Sequence, residues 1–587
     1  MALFDWVVVG AYVLIALGIG VAFKKKADAS TEGFFLADRS LTWVVAGTSI
    51  VATSFSADTP VFVAGMSRDT GIHYNWFWWS AIIGQLATVF FFSRLWRRSA
   101  IVTDIEFLMK RYERTTENHV LRIFKVFFDG VYINCVIMAS VTLAMAKVFK
   151  VVLGLSDHAL YHLPIIGDVT STGLLLCVLG SAAVLYSALS GLYGVVYTDL
   201  IQFALAMTGS IILAIVVYAN ISTGDGLHAN LESAPGFDTA VLNFLPDLNH
   251  WDTAVFTFLV FIGVSWWSAA PGSGYTVQRL LSTRSERDSF FAFLWYNICH
   301  YLLRPWPWII VGVCSLYYFP DLDDPEASFP SMIAKFMPVG LKGVMVASLL
   351  AAFMSTIDTH LNWGVSYLIN DFYQPYLRPG KPPHHYVTVS RVFMVLLTVV
   401  ALLVTVRLTT ILDAYKYLGL FWGGIGTVMI ARWYWWRVTA WSEIVAIAVS
   451  LVVGNLAAYF LADPEGADYF GIRLLLTIGI STVAWVGVTL WVNKRPRPQA
   501  LAFYREMRIA GPGWRRVSEE TGVVPEEQSL VTSGAAWLLC CALMIAILVG
   551  TGKLLFHEWT AAGICVAVAG VSAFGLARVT RGFKMLR

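Results

Sequence analysis

A row of polar residues on one apolar segment has the composition of a cation site. A helical period of about 100° per residue puts Ala352, Ser355, Thr356, Asp358, Thr359 and Asn362 within an arc of roughly 160°. Hard cations such as Na⁺ prefer carbonyl, hydroxyl and carboxylate oxygens. The hydroxyls alone would equally suit hydrogen bonds to their own backbone or to neighbouring helices. Asp358 favours a functional site, because a carboxylate inside a membrane is costly.

Two more ionisable residues lie in apolar segments. Asp199 shares a helix face with Gln202 near the inner end of its segment, where it could also be a carboxylate at headgroup level. Arg304 directly precedes Pro305 in mid-segment, where its side chain cannot easily reach the interface. We expect Arg304 either to pair with a protein carboxylate such as Asp58 or to contact an anionic group of a substrate.

Polar and helix-breaking residues interrupt two of the apolar segments. Residues 53–60 combine hydroxyls, Asp58 and Pro60, and residues 268–274 read Ser-Ala-Ala-Pro-Gly-Ser-Gly. Non-helical backbone at membrane depth persists only where protein or a water-filled cavity satisfies it. The two breaks lie five apolar segments apart. Each break is in the first helix of one of two consecutive five-helix blocks. Two ordinary proline kinks would explain them separately, but their matching positions favour an inverted-repeat transporter with a cation site at the breaks.

The elements that hold these residues are membrane helices. The chain has 587 residues, of which 57% are hydrophobic and 13% charged, about half the charge density of soluble domains. A span needs about 20 apolar residues. That length predicts fifteen spans, near residues 3–23, 42–67, 75–96, 126–153, 171–190, 195–219, 253–280, 289–319, 338–370, 388–405, 409–431, 440–462, 470–492, 534–552 and 558–577.

Loop charge predicts the orientation of these spans. Lys and Arg concentrate in alternate connections, whereas acidic residues dominate the intervening ones. Because basic loops stay in the cytoplasm, the N-terminus is predicted outside and the C-terminus inside. The predicted sections are a first helix with its connector (1–40), a first repeat (41–220), an extracellular loop (221–252), a second repeat (253–433), two peripheral helices (434–492), a cytoplasmic loop (493–533) and two C-terminal helices with a tail (534–587).

Several motifs resemble the sodium:solute symporter family. The run at 190–203, Ser-Gly-Leu-Tyr-Gly-Val-Val-Tyr-Thr-Asp-Leu-Ile-Gln-Phe, is similar to the family's signature segment. The resemblance continues at 47–49, 277–282 and 352–362, in the family's order. It implies an all-α polytopic membrane protein with a LeuT-like core of two inverted five-helix repeats. One helix would precede this core and four would follow it.

The resemblance also implies sodium ligands. One sodium would bind to the carbonyls of Ala52, Phe55 and Ala352 and to the hydroxyls of Ser355 and Thr356. Some members bind a second sodium, whose ligands would correspond to Asp199, Ser355, Asp358 and Thr359. Those members have a hydroxyl where this chain has Asp358, so the number of coupled sodium ions stays open.

The residues implied for substrate binding differ from those of sugar-transporting members. Tyr275 matches the aromatic residue that closes the inner side of their site. Their carboxylate, amide and glutamine are replaced here by Phe77, Ser273 and Thr59, which disfavours a sugar. A smaller or partly apolar solute, including a carboxylate or zwitterion near Arg304, would suit Ser54, Asp58, Thr59, Trp79, Trp266 and Trp267. Ser273 and Tyr275 complete the predicted substrate-binding residues.

These features together predict a sodium-coupled symporter that imports a small organic solute by alternating access. We expect a multi-pass protein of the cytoplasmic membrane, with no catalytic activity, no nucleic-acid partner and no obligatory protein partner. A proton-coupled carrier, with Asp58, Asp199 or Asp358 titrating, remains an alternative. A membrane sensor or an intramembrane enzyme is disfavoured, because the sequence has no kinase-like soluble domain and no paired metal motif or nucleophile with a base.

Overall fold

The computed structural model describes residues 1–27, 31–155, 159–163, 167–222, 227–408, 410–463, 468–525 and 529–583. The first thirteen α-helices are α1 (Leu3–Ala27), α2 (Thr31–Leu36), α3 (Trp43–Ser54), α4 (Asp58–Asp69), α5 (Trp76–Trp79), α6 (Ala81–Ala87), α7 (Ser93–Ser99), α8 (Glu106–Arg111), α9 (Thr116–Phe127), α10 (Asn134–Leu153), α11 (Ser171–Ile221), α12 (Leu227–Glu232) and α13 (Thr253–Gly263). The others are α14 (Gly274–Leu281), α15 (Glu286–Ile298), α16 (Pro305–Tyr318), α17 (Ser328–Phe336), α18 (Leu341–Tyr367), α19 (Pro383–Thr405), α20 (Ile411–Tyr434), α21 (Ala440–Phe460), α22 (Phe470–Val492), α23 (Pro498–Met507), α24 (Arg515–Thr521), α25 (Leu530–Leu555) and α26 (Trp559–Thr580).

Helical structure coincides with each of the fifteen predicted spans. Among the described residues, nine helical stretches are long and apolar enough to cross a membrane by length and composition. π-helical turns at Thr88–Phe92, Phe128–Ile133, Cys299–Leu303 and Leu368–Leu377 adjoin several of the helices. A short antiparallel hairpin of β1 (Ala159–Leu163) and β2 (Gly167–Thr170), which we did not predict, lies between α10 and α11. The all-helical membrane class is confirmed, whereas the exact span number and the orientation stay predictions.

The chain divides into two compact units. Unit 1 comprises Met1–Asn75, Asp129–Leu245 and Leu303–Ala414, and unit 2 comprises Trp76–Phe128, Pro246–Leu302 and Tyr415–Arg587. Within unit 1, α18 packs against α1, α3, α10, α11 and α19. In its apolar window, 94% of the residues are buried, so the helix that carries the polar row forms the centre of unit 1. Within unit 2, α21 packs against α22 and α25 against α26.

Both predicted helix breaks are present. In unit 1, α3 ends at Ser54 and α4 begins at Asp58, which leaves three residues between them. In unit 2, α13 ends at Gly263, a 3₁₀ turn spans Ser265–Ala269, and α14 begins at Gly274. The last carbonyls of a helix lack intrahelical partners. Each break therefore leaves main-chain carbonyl oxygens without intrahelical partners inside its own unit.

A third interruption occurs at Gly191, within α11. Gly191 has φ 52° and ψ −157°, a conformation available almost only to glycine. It separates two helical segments at the boundary that we predicted between the fifth and sixth spans. A Cβ atom at this position would lie 2.9 Å from the carbonyl oxygen of Phe34. Glycine is therefore required both by the backbone conformation and by the close approach of α2.

Gly191→Ala is expected to destabilise the protein by about 1–3 kcal/mol, because alanine is strained in this conformation. The measurement is the temperature at which the monodisperse fraction is lost on heating in detergent. Gly180→Ala on the same helix is the matched control. Its Cβ would meet only the Thr398 methyl at 3.9 Å, and alanine favours a helix interior. Equal unfolding temperatures for the two variants would contradict this account.

Candidate functional site

The polar row of α18 faces the broken end of α3 in unit 1. The Thr356 hydroxyl lies 2.8 Å from the Thr53 carbonyl oxygen and 3.1 Å from that of Ala352, so its single proton is shared between these acceptors. One turn away, the hydroxyls of Thr53 and Thr359 lie 2.9 Å apart. These contacts fix the row against the last turn of α3, directly before the break.

Asp199 connects the two helices from the side of α11. One of its carboxylate oxygens accepts from the Ser49 hydroxyl of α3, and the other accepts from the Ser355 hydroxyl of α18, each at 2.5 Å. Asp199 and Ser355 are fully buried. Since the Ser355 proton points to Asp199, its oxygen lone pairs remain available to accept a cation. The predicted proximity of Asp199 and Ser355 is therefore present.

All five residues predicted for the sodium site are buried in unit 1. Their exposed fractions are at most 2%, for Ala52, Phe55, Ala352, Ser355 and Thr356. The Ala52 carbonyl accepts from the Phe55 amide at 3.2 Å, but a carbonyl oxygen keeps a second lone pair for another partner. Carbonyl and hydroxyl oxygens without sulfur or imidazole suit Na⁺. The donor set therefore fits the predicted ion.

Among the residues that the structure describes, those predicted for a second sodium do not share one hydrogen-bond network. Asp199 lies in the network with Ser355, whereas the Thr359 hydroxyl is directed to Thr53. Asp358 follows Ser355 by three positions on α18 and is completely buried, yet neither of its carboxylate oxygens has a hydrogen-bond partner in the described part of the chain. An ionised carboxylate in such a place requires a compensating positive charge. Asp358 is thus chemically suited to a second cation.

Four predicted substrate residues lie near the first break in unit 1. Arg304 donates to the Ser54 hydroxyl at 2.9 Å and to the Ser54 carbonyl at 2.5 Å. The Thr59 hydroxyl donates to the same carbonyl at 3.3 Å. Asp58 is fully buried, and one of its oxygens accepts from Ser140 at 3.5 Å. These contacts of Arg304 are made to the end of α3, and its expected pairing with a carboxylate such as Asp58 or with a substrate anion stays a prediction.

The remaining predicted substrate residues belong to unit 2. Trp79 is fully buried against Trp76, with ring centroids 5.6 Å apart. Trp266 packs on Trp537 of α25 at 5.5 Å. Ser273 is exposed and directly precedes α14, on which Tyr275 is half-buried. The involvement of these four side chains in substrate binding stays a prediction.

The predicted site residues did not include Ser49, Thr53 and Tyr12, which in unit 1 contact the polar row or residues beside it. Ser49 and Thr53 are four residues apart on α3; Ser49 contacts Asp199, the partner of Ser355, and Thr53 contacts Thr359 of the polar row itself. Tyr12 of α1 accepts from the Gln202 amide at 2.9 Å and donates to the Met354 sulfur at 3.6 Å. The spacing of Ser49 and Thr53 could have indicated a polar helix face. Tyr12 gives no such signal, because it stands alone in an apolar segment.

A mainly helical membrane fold with interrupted helices and a buried oxygen-lined site is typical of secondary active transporters. The family model described as the sodium:solute symporter family matches residues 34–447. The chain belongs to the sodium:solute symporter family. It is therefore a multi-pass membrane transporter rather than an enzyme, and sodium is its coupling ion.

Relatives and a solved structure agree with this assignment. The chain is 26% identical to a sodium/glucose cotransporter of Vibrio parahaemolyticus over 84% of this chain and 92% of that protein. It is 23% identical to an uncharacterized symporter of Escherichia coli, over 94% of this chain and 95% of that protein. A sodium-coupled sialic acid symporter, solved in a substrate-bound outward-open state, has a TM-score of 0.65 at 19% identity and covers 84% of this chain and 100% of its own. The last comparison confirms the LeuT-like fold.

Proposed function

We propose that the protein imports a small organic solute across the cytoplasmic membrane together with sodium, by alternating access. The observation that carries this proposal is the pair of hydroxyls on α18 beside the break after α3. Thr356 is bonded to the last turn of α3, and Ser355 is oriented by Asp199. The oxygens of two helices thus converge on one buried region of unit 1.

Sodium bound in this region would join the end of α3 to α18. Its ligands would be the carbonyls of Ala52, Phe55 and Ala352 with the hydroxyls of Ser355 and Thr356. The nearby negative charge of Asp199 attracts a cation and orients the Ser355 lone pairs. Because the bound ion needs oxygens from both helices, sodium stabilises the arrangement in which they meet. Sodium that binds from the outside therefore stabilises the conformation to which the solute binds next.

We infer that the solute is not a sugar. Phe77, which stands where sugar-transporting members have a carboxylate, packs against Phe261 and Phe470 at 5.7 and 5.8 Å in unit 2. An aromatic cluster offers no hydrogen bonds to a polyol, and the hydroxyl of Ser273 replaces the larger amide of those members. The Vibrio relative is named as a sodium/glucose cotransporter. In this chain, Phe77 and Ser273 favour a smaller or partly apolar solute instead.

The membrane potential supplies much of the driving force for this transport. One positive charge that moves inward gains about 2.3 kcal/mol per 100 mV, which supports roughly fiftyfold accumulation of a neutral solute. This gain comes in addition to that of any sodium concentration gradient.

The test is uptake into proteoliposomes with an inward sodium gradient. The solute is first selected by a thermal-shift screen of amino acids, organic acids, sugars and vitamins, each in sodium chloride and in choline chloride. A ligand that stabilises only with sodium identifies both partners together. We expect uptake with a sodium gradient and none with choline. Uptake driven by a proton gradient without sodium would contradict the proposal and support the proton-coupled alternative.

A further inference from the structure

Arg304 contacts the end of α3 through two separate atoms of its guanidinium group. Its Nη1 donates to the Ser54 hydroxyl at 2.9 Å and its Nη2 to the Ser54 carbonyl at 2.5 Å. The Ser54 hydroxyl in turn donates to the Val51 carbonyl at 3.0 Å. Arg304 is fully buried and directly precedes Pro305, the first residue of α16. A buried arginine therefore caps the C-terminal end of the broken helix.

The same guanidinium lies over the aromatic residue that follows Ser54. Its carbon is 5.3 Å from the centre of the Phe55 ring and 5.0 Å from that of Trp308. The two rings meet edge to face at 5.0 Å, and the Trp308 indole donates to Ser210 at 3.2 Å. The Phe55 side chain is thus held from two sides within unit 1.

These contacts bracket the backbone that is proposed to bind sodium. The Thr53 carbonyl, before Ser54, accepts from Thr356, and the Phe55 carbonyl, after Ser54, is a proposed sodium ligand. Arg304 fixes the Ser54 carbonyl and the Phe55 ring, which leaves the Phe55 peptide little freedom to turn. A positive charge at the C-terminal end of a helix also stabilises the aligned carbonyls there.

We propose that Arg304 is a positioning residue of the sodium site, which acts through Ser54 and Phe55 and not by contact with the ion. This inference rests on the proposed sodium coupling. The fork geometry of arginine is essential to the role, because one planar group must bond two oxygens while it lies against two rings. Lysine keeps the charge but offers no planar fork.

The test is equilibrium binding of radioactive sodium to purified protein in detergent, with choline chloride to hold the ionic strength constant. Only the monodisperse fraction is assayed. Arg304→Lys is expected to weaken sodium binding about tenfold, the loss expected for one charge-assisted hydrogen bond. A merely structural role would lower the amount of protein that binds without moving the midpoint of the titration.

Arg68→Lys is the matched control. Arg68 is also buried in unit 1 and donates to the Ser315 hydroxyl and to the carbonyls of Phe319 and Pro320, but not to the break. Its variant should bind sodium like the parent protein. Ser54→Ala is the second variant in case Arg304→Lys does not fold. It removes the hydroxyl that accepts from Arg304 Nη1. Sodium binding should weaken about threefold, as expected for the loss of one weaker hydrogen bond.

The outcomes separate this inference from the proposed function. A parent-like midpoint in the folded Arg304→Lys protein, or in Ser54→Ala where the first variant does not fold, overturns the positioning role and leaves sodium coupling intact. An equal loss in Arg68→Lys would also overturn it, because the effect would then be unspecific. No sodium binding by the parent protein would refute the proposed function and the inference together.

Discussion

Replacement of Ser355 by alanine is expected to raise the sodium concentration that half-saturates transport by about 150-fold. The substitution removes a proposed sodium ligand and also a hydroxyl that donates to Asp199 at 2.5 Å. A hydrogen bond to a charged group contributes about 1.5–3 kcal/mol, and 1.36 kcal/mol corresponds to a factor of ten. The loss of the bond and the ligand together should reach the upper part of this range.

The measurement for Ser355→Ala is initial uptake as a function of external sodium, at constant ionic strength. Ser348→Ala is the control, because Ser348 is also buried on the same helix and its hydroxyl donates to the Met345 carbonyl in its own preceding turn. We expect its sodium dependence to match that of the parent protein. If both variants show the parent's sodium dependence, the hydroxyls of α18 do not form the coupling site.

We expect that Asp358 binds a second coupled sodium ion and that its replacement by alanine removes this ion. Its carboxylate is buried, and no hydrogen-bond partner for either oxygen occurs among the described residues. With two charges per neutral solute, a potential of 100 mV supports about 2500-fold accumulation, and with one charge only about fiftyfold. The variant should also unfold at a higher temperature without sodium, because an uncompensated buried carboxylate is costly.

The accumulation ratio is measured at steady state in proteoliposomes under an imposed potential, with equal sodium on both sides. Asp358→Ser is the matched variant, because it restores the hydroxyl that members with a second sodium carry at this position. It should keep the high ratio that Asp358→Ala loses. A parent-like ratio in the alanine variant would show that Asp358 binds no transported cation.

The sequence was most informative where one helix face or one helix break determines the outcome. Proline and adjacent hydroxyls located the break between Ser54 and Asp58, because a proline removes a backbone donor wherever the chain folds. Helical periodicity likewise placed Ser355 and Thr356 on one face. The resemblance to a family supplied the ligand assignment, which periodicity alone does not contain.

Contacts between segments that are distant in the sequence were harder to predict. Arg304 had several plausible partners, and its bonds to Ser54 arise from the packing of α16 against α4, the helix that follows the break. Trp266 packs on Trp537, which lies 271 positions later, and the sequence did not predict this contact. Such pairings depend on which apolar faces meet, and many faces of this chain are equally apolar. Tertiary structure therefore decided them.

The two hydrogen bonds of Asp199 have a mechanical consequence. This single carboxylate holds Ser49 of α3 and Ser355 of α18 while it belongs to α11. If α3 or α18 moved away from α11, the buried Asp199 carboxylate would lose one hydrogen-bond donor in a place without water to replace it. The inner part of α3, the second segment of α11 and α18 should therefore move as one rigid body. We expect bending within unit 1 to occur instead at Gly191, where the two helical segments of α11 meet.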